Sequence, residues 1–415
     1  MSTIINQKHI NNKPLNILFF TTTSAYTGSE IVLSNIIHNI NSSNIKSVAW
    51  ISYFKGELIE KNRKTHIPHL VIYESVRSIW FWALLIPSIF KNKRYFSSLK
   101  SLYSLYINIS LDYAHKKFKS DIWYINTILQ KETLKYAYNH QIPCIVHAHE
   151  LEQMLPGLNK QESEILVNYP QLIIACSHTA AQTLQILGRS ENIEICYPTI
   201  DTQKIDDIKF YPEVRRQILG ISPQSFVWCM SGTLDQNKNP IKFIEIAQKI
   251  LNQGYDCHFL WLGNNSDSAL DVFCKKYSEK LGLDNKIIWL GLLKNDEYYQ
   301  YLNVANGFVL TSSRESFSIV SLEALYLQKP IVSFDCGGIN EILTSPQIGK
   351  IVKSWNTDEI VEAMKNVMDN QFKFNKNLAK EIAQKFSIEN QMEQWQKIIE
   401  KYFLKMNNPE NNYEF

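Results

Sequence analysis

At 415 residues, 45% hydrophobic and 20% charged, the chain is globular and long enough for two domains that each bury a core. Its net charge of +3 is too small to mark a nucleic-acid binder. Its seven cysteines, Cys144, Cys176, Cys196, Cys229, Cys257, Cys274 and Cys336, are scattered and odd in number, without metal or redox spacing, and suit core thiols in a reducing, cytoplasmic setting.

Met1 to Pro14 is polar and lacks an apolar core followed by a cleavage site, so no secretory signal is expected. Leu15 to Thr22 is an apolar run of strand length. It leads through Ser24, Ala25, Tyr26, Thr27 and Gly28 into a helix expected over Ser29 to Ile40. A dinucleotide fingerprint needs three spaced glycines, so Gly28 by itself reads first as a helix-packing turn. Val48 to Tyr53 and His69 to Tyr73 continue the alternation, and Val76 to Phe118 then departs from it. There Trp80, Phe81, Trp82, Leu84, Leu85 and Ile86 precede Lys91, Lys93 and Arg94. That composition fits either a helix lying in a membrane interface or a core helix against the sheet, so 79–94 is a candidate membrane-surface contact. The longest apolar run, Ile79 to Ile86, is far short of the roughly 20 residues of a membrane span.

Asp121 to Ile125 is a strand ending at Asn126 and Thr127, and Ile142 to Val146 ends at His147, Ala148, His149 and Glu150. His147 reads as structural, and two histidines two apart without further ligands make a poor metal site. Leu172 to Cys176 runs into Ser177, expected to cap a helix that stops at Gly188. Ile193 to Pro198 closes a first domain, and the polar stretch Asp201 to Ser222, with Pro212, reads as a link between halves.

Phe226 to Ser231 opens a second α/β series. Gly232, Thr233 and Leu234 lead through Asp235 to Lys238 and into a helix at Pro240, the pattern of a phosphate-facing turn. Cys257 to Leu262 and Lys286 to Leu290 end at Gly263 and Gly291, with helices expected over Ser268 to Leu281 and Asn295 to Leu302. Phe308 to Leu310 then breaks into Thr311, Ser312 and Ser313, and Ile319 to Leu327 has helical composition closed by Pro330. At about 100° per residue Glu323 lies nearly opposite Ser321, between Ile319 and Leu327, so its carboxylate points inward and needs a polar partner. Glu315 precedes that helix, where backbone N–H groups of Ser316, Phe317 and Ser318 can face an anion. Cys336, Gly337 and Gly338 follow the next strand and end on the same sheet edge.

The run from Leu310 to Glu341, with Glu315 and Glu323 eight positions apart, Ala324, a strand and a glycine pair, resembles the signature of the retaining glycosyltransferases of family 4. The resemblance implies a GT-B fold: two Rossmann-like doubly wound parallel-sheet domains facing a cleft. They would be an acceptor domain over 1–200, a nucleotide-sugar domain over 201–387, and a C-terminal helix with a flexible tail over 388–415, the helix crossing back to the first domain. It implies that Glu323 holds the ribose of a nucleotide sugar, that Glu315 lies against the transferred sugar, and that Gly337 and Gly338 lie near that sugar or the diphosphate. Gly232 and Lys238 match the family's phosphate turn, but Thr233 stands where the family has an arginine; Arg314 is a candidate to supply that charge. In the first domain the resemblance makes Gly28 and Ser29 candidate phosphate or acceptor contacts, and turns His149, followed by an acid, towards the transferred sugar and Glu315. The base of the nucleotide would lie along Gly263 to Asn265 and Leu292 to Lys294.

The activity so implied is retaining transfer of a hexose from a nucleoside-diphosphate sugar to a hydroxyl of a glycan or lipid-linked acceptor, without metal or other cofactor. The setting would be cell-surface polysaccharide or glycolipid synthesis, in the cytoplasm or peripherally at the inner face of the membrane. Two alternatives share the architecture: a nucleotide-sugar epimerase, and a nucleotide-sugar-binding subunit without turnover, suggested by Thr233.

Overall fold

A computed structural model describes residues 14–25, 27–72, 93–264, 268–293 and 296–407. The segment read as membrane-facing lies outside these as far as residue 92, and so do Asn265 and Lys294. The chain divides into two compact units, Met1–Pro198 with Gln391–Phe415, and Thr199–Asn390.

The first unit holds seven strands, β1 (Leu15–Thr23), β2 (Ile45–Phe54), β3 (His69–Val71), β4 (Ile122–Ile125), β5 (Cys144–Ala148), β6 (Leu172–Ala175) and β7 (Ile193–Ile195), in the order β3-β2-β1-β4-β5-β6-β7. Every pairing is parallel. Helices cover both faces of such a sheet, so its strands read as unbroken apolar runs; Phe19, Phe20, Trp123, Tyr124 and Ile173 are all buried. The last helix, Ile388–Asn407, buries Trp395, Ile399 and Tyr402, and the Trp395 indole N–H donates to the Tyr124 hydroxyl at 3.2 Å. It runs to Asn407, and residues 408–415 of the expected tail lie outside the described residues.

The second unit holds β8 (Phe226–Ser231), β9 (Cys257–Leu262), β10 (Ile287–Trp289), β11 (Gly307–Leu310), β12 (Ile331–Phe334) and β13 (Gly349–Val352), in the order β10-β9-β8-β11-β12-β13 and again all parallel. The stretch read as a polar link, Asp201 to Ser222, is instead built into this unit as the helices Thr202–Asp207 and Pro212–Ile218. Arg216 explains why: its buried guanidinium donates to the carbonyls of Ser225 and Val304 and to Asn306 Oδ1, so a charge that looked solvated ties the helix to the sheet. All seven cysteines are buried and free. In each sheet the strand order reverses once, between β1 and β4 and between β8 and β11. Loops leaving the carboxyl ends on either side of such a reversal diverge and open a crevice.

Candidate active site

In the second unit the loop after β8 delivers Lys238 to the switch point. Gly232 adopts φ +147°, and a Cβ there would fall 2.9 Å from Lys238 Cε, so only glycine lets the lysine stem pass. Asp235 Oδ1 accepts from the Lys238 backbone N–H at 2.8 Å, and the Thr233 hydroxyl donates to Asp235 Oδ2 at 3.1 Å. Asn239, in the left-handed region at φ 54°, caps the helix Pro240–Asn252. Lys238 is thereby held at both ends of the turn.

From the other side of the reversal, the loop after β11 brings Glu315. Its Oε1 lies 2.6 Å from Lys238 Nζ, with side chains 10% and 18% exposed. A pair this well buried is charge-neutral in itself, and removing one partner would strand the other. Asn237 locks the two loops together. Its amide donates to the Arg314 carbonyl at 2.8 Å while its Oδ1 accepts from Arg314 N–H at 3.1 Å and from the Ser313 hydroxyl at 2.8 Å, and Thr311 Oγ1 donates to the Lys238 carbonyl at 2.8 Å. The Arg314 side chain itself is exposed. Glu315 does not cap the following helix, whose N-cap is Ser318, bonded through Oγ to Ser321 Oγ at 2.8 Å.

The glycine pair sits beside this loop. Glu315 N–H donates to the Cys336 carbonyl at 2.6 Å, and Gly338 N–H donates to the Glu315 carbonyl at 2.8 Å. The Gly338 N–H is thus taken within the loop pair. The residue's lack of a side chain serves packing: a Cβ would lie 2.2 Å from the Ser316 carbonyl oxygen. Gly337, at φ +95°, makes the turn that permits the approach.

Glu323 lies on the helix Ile319–Tyr326 and is half-buried. Its partner is neither a lysine nor left vacant for a ligand: the Tyr298 hydroxyl donates to Oε2 and the Tyr299 hydroxyl to Oε1, each at 2.8 Å. Burial raises the Glu323 pKa above the usual carboxylate value, and the two phenol donors oppose that rise. Each oxygen keeps a second lone pair, so two further hydroxyls can be received. Sequence reasoning missed both tyrosines, which lie on the helix Asp296–Val304.

In the first unit, Gly28 and Ser29 open the helix Gly28–Asn39. The hydroxyls of Thr27 and Ser29 both bond the buried Glu30 carboxylate, the latter at 2.7 Å, so the Ser29 side chain is committed locally. Asn126, at the end of β4, donates to the Ser29 carbonyl at 3.0 Å and meets His149 Nε2 through Oδ1 at 3.1 Å. Glu150 turns inward instead: it accepts from Thr127 Oγ1, from Ile128 N–H at 3.2 Å and from His149 N–H at 2.9 Å. His147 is buried against the Tyr124 hydroxyl at 2.9 Å, the structural role expected of it, and Ser177 caps its helix through Ala180 N–H at 2.9 Å. Burial lowers the His149 pKa to about 4, which leaves a neutral imidazole. Among the described residues no group of three or more His, Cys, Asp or Glu is gathered to hold a metal, and no helix is long and apolar enough to cross a membrane.

Two doubly wound parallel sheets with this strand order, in one chain, are the architecture of the GT-B glycosyltransferases. The structure of Anabaena HepE in complex with UDP and glucose matches with a TM-score of 0.72 at 20% identity, over 93% of this chain and 100% of that one. Residues 213–385 match the family model described as glycosyl transferases group 1. Over 309 residues it is 27% identical to the UDP-Gal:alpha-D-GlcNAc-diphosphoundecaprenol alpha-1,3-galactosyltransferase of Escherichia coli, covering 70% of this chain and 75% of that one. Over 184 residues it is 24% identical to the D-inositol 3-phosphate glycosyltransferase of Paenarthrobacter aurescens, 43% of this chain and 44% of that one.

Proposed function

We propose that this glycosyltransferase moves a hexose from a nucleoside-diphosphate sugar to a hydroxyl of a glycan or lipid-linked acceptor, with retention at the anomeric carbon, in the synthesis of a cell-surface polysaccharide or glycolipid. The observation that carries the reading is the buried Lys238–Glu315 pair at the switch point of the second unit. The names of the relatives support the chemistry: the Escherichia coli enzyme is named for a UDP-galactose donor and a diphosphoundecaprenol-linked acceptor, and HepE was crystallised with UDP and glucose.

In this reading Lys238 turns its ammonium from Glu315 towards the diphosphate, whose charge grows as the bond from the anomeric carbon to the phosphate oxygen breaks. The acceptor hydroxyl forms the new bond to that carbon on the same face, and its proton passes to the departing phosphate oxygen, so no protein base is needed. Lys238 provides the cation at the diphosphate, and the step uses no metal. Glu323, steadied by Tyr298 and Tyr299, receives the ribose hydroxyls on its remaining lone pairs. Arg314, exposed beside the pair, is placed to add the guanidinium that Thr233 lacks. Seven buried, free thiols support a cytoplasmic setting, at the inner membrane face when the acceptor is lipid-linked.

A thermal-shift series with UDP, GDP, ADP and their sugars, followed by product analysis with a polyprenyl-diphosphate sugar as acceptor, tests the proposal. One nucleotide should raise the melting temperature, and the product should keep the donor's anomeric configuration. No shift with any nucleotide would sink the site; an inverted product would sink retention; a new nucleotide sugar formed without acceptor would identify an epimerase.

A further inference from the structure

We infer that Asn126 is a positioning residue, fixing His149 as its Nε2–H tautomer so that Nδ1 presents a lone pair to a hydroxyl of a bound sugar. The inference rests on the function proposed above for its substrate, but its geometry stands apart from it. Asn126 is 1% exposed, and its backbone N–H donates to the Phe20 carbonyl at 2.9 Å, so the residue is held by its main chain before its amide is considered.

The tautomer follows from donor and acceptor chemistry. The Ser29 carbonyl, 3.0 Å from the Asn126 side chain, can only accept, so the amide NH2 must face it. That turns Oδ1 towards His149 Nε2 at 3.1 Å. Oδ1 can only accept as well, so Nε2 must carry the hydrogen. A neutral imidazole has one N–H, which leaves Nδ1 bare. Among the described residues Nδ1 accepts from no other side chain, and the ring is half-buried rather than sealed. Burial keeps the ring neutral. His147 stands against it at 4.2 Å between centroids, and the Glu150 carboxylate is spent on backbone N–H groups and Thr127. Three strand ends, after β1, β4 and β5, are thus joined in one line ending on an acceptor atom. Such an atom receives a hydrogen bond from a sugar hydroxyl and gives up no proton.

The test is nitrogen-15 NMR of the histidine rings in the full-length protein, with His149 assigned by its loss in His149→Gln. The wild type should show Nε2 protonated and Nδ1 bare at neutral pH. Asn126→Asp, which sets a carboxylate against the ring, should move the His149 titration midpoint upward by about one unit or more. Asn126→Ala should mix the two tautomers and lower kcat about tenfold to 100-fold, with KM for the nucleotide sugar changed less than about threefold. An Nδ1–H tautomer in the wild type, or an unaltered tautomer in Asn126→Ala, would overturn the inference. The wild-type spectrum needs no turnover: an Nε2–H ring in a protein that transfers no sugar would uphold the positioning while removing the proposed function. Should Asn126→Ala fail to fold, the Asn126→Asp titration carries the test, and an unmoved midpoint there overturns the inference equally.

Discussion

The two units repeat one strand order and differ in what they put at its reversal. In the second, opposite charges meet, Lys238 against Glu315, between loops that also touch backbone to backbone, the Ser313 N–H donating to the Asn237 carbonyl at 2.7 Å. In the first, the equivalent loops are joined by neutral groups: the Ser29 carbonyl, the Asn126 amide and the His149 imidazole. The crevice is a property of the topology, while the residues grafted onto it set the kind of chemistry each half can do. A buried cation in a tight loop suits a diphosphate. A neutral acceptor suits an uncharged hydroxyl.

The contrast can be broken most forcefully at Lys238. Lys238→Ala should lower kcat at least about 100-fold, close to 3 kcal/mol, because the leaving diphosphate loses its cation while Glu315 is left buried and uncompensated. Steady-state kinetics on the purified variant checks this, and a loss under threefold would put the cation elsewhere. Gly338→Ala forces a methyl into the Ser316 carbonyl and should cost about 2 kcal/mol of unfolding free energy in urea, whereas alanine at Gly188, where a Cβ meets nothing within 4 Å, should suffer only backbone strain and cost less. Glu323→Ala should weaken nucleotide binding about tenfold, read by calorimetry, through loss of hydrogen bonds to a charged group.

The smallest effects sharpen the comparison through pH. His149 titrates near 4 folded against 6.5 unfolded, so the unfolded chain binds more protons between those values and stability drains away as pH falls through that window. His149→Gln should therefore lose less stability than wild type on acidification. Glu323 is shifted upward, so there the folded state binds the proton more tightly and stability is lost as pH rises through the carboxylate range. Glu323→Gln should gain on wild type as pH rises from 4 to 7. Denaturation midpoints across pH 4 to 8 read both slopes, and equal slopes in the two variants would refute the assignment of opposite signs.

Strands were the easiest part of this molecule to read from sequence, because a parallel sheet covered on both faces writes each strand as an uninterrupted apolar run. Lys238 and Glu315 each stand out in the sequence, yet nothing in a linear string says that positions 77 apart form a pair at 2.6 Å. Asn237 was passed over because it carries no charge, although its value lies in offering a donor and an acceptor at once to the neighbouring loop. Tyr298 and Tyr299 were hidden by their own apolar rings. The helices at Thr202–Asp207 and Pro212–Ile218 were mistaken for a link because charged, proline-bearing segments usually are one; the signal that could have corrected this, the burial of Arg216, depends on carbonyls far along the chain.

The helix Ile388–Asn407 has a consequence for anyone who would separate the halves. Its first turn is counted with the second unit, but from Gln391 onward it seals the first, with Trp395 wholly enclosed there. A fragment severed at Pro198 would expose the groove this helix fills, and stable recovery of the amino-terminal half should require the missing peptide to be supplied in trans, as in split-protein complementation.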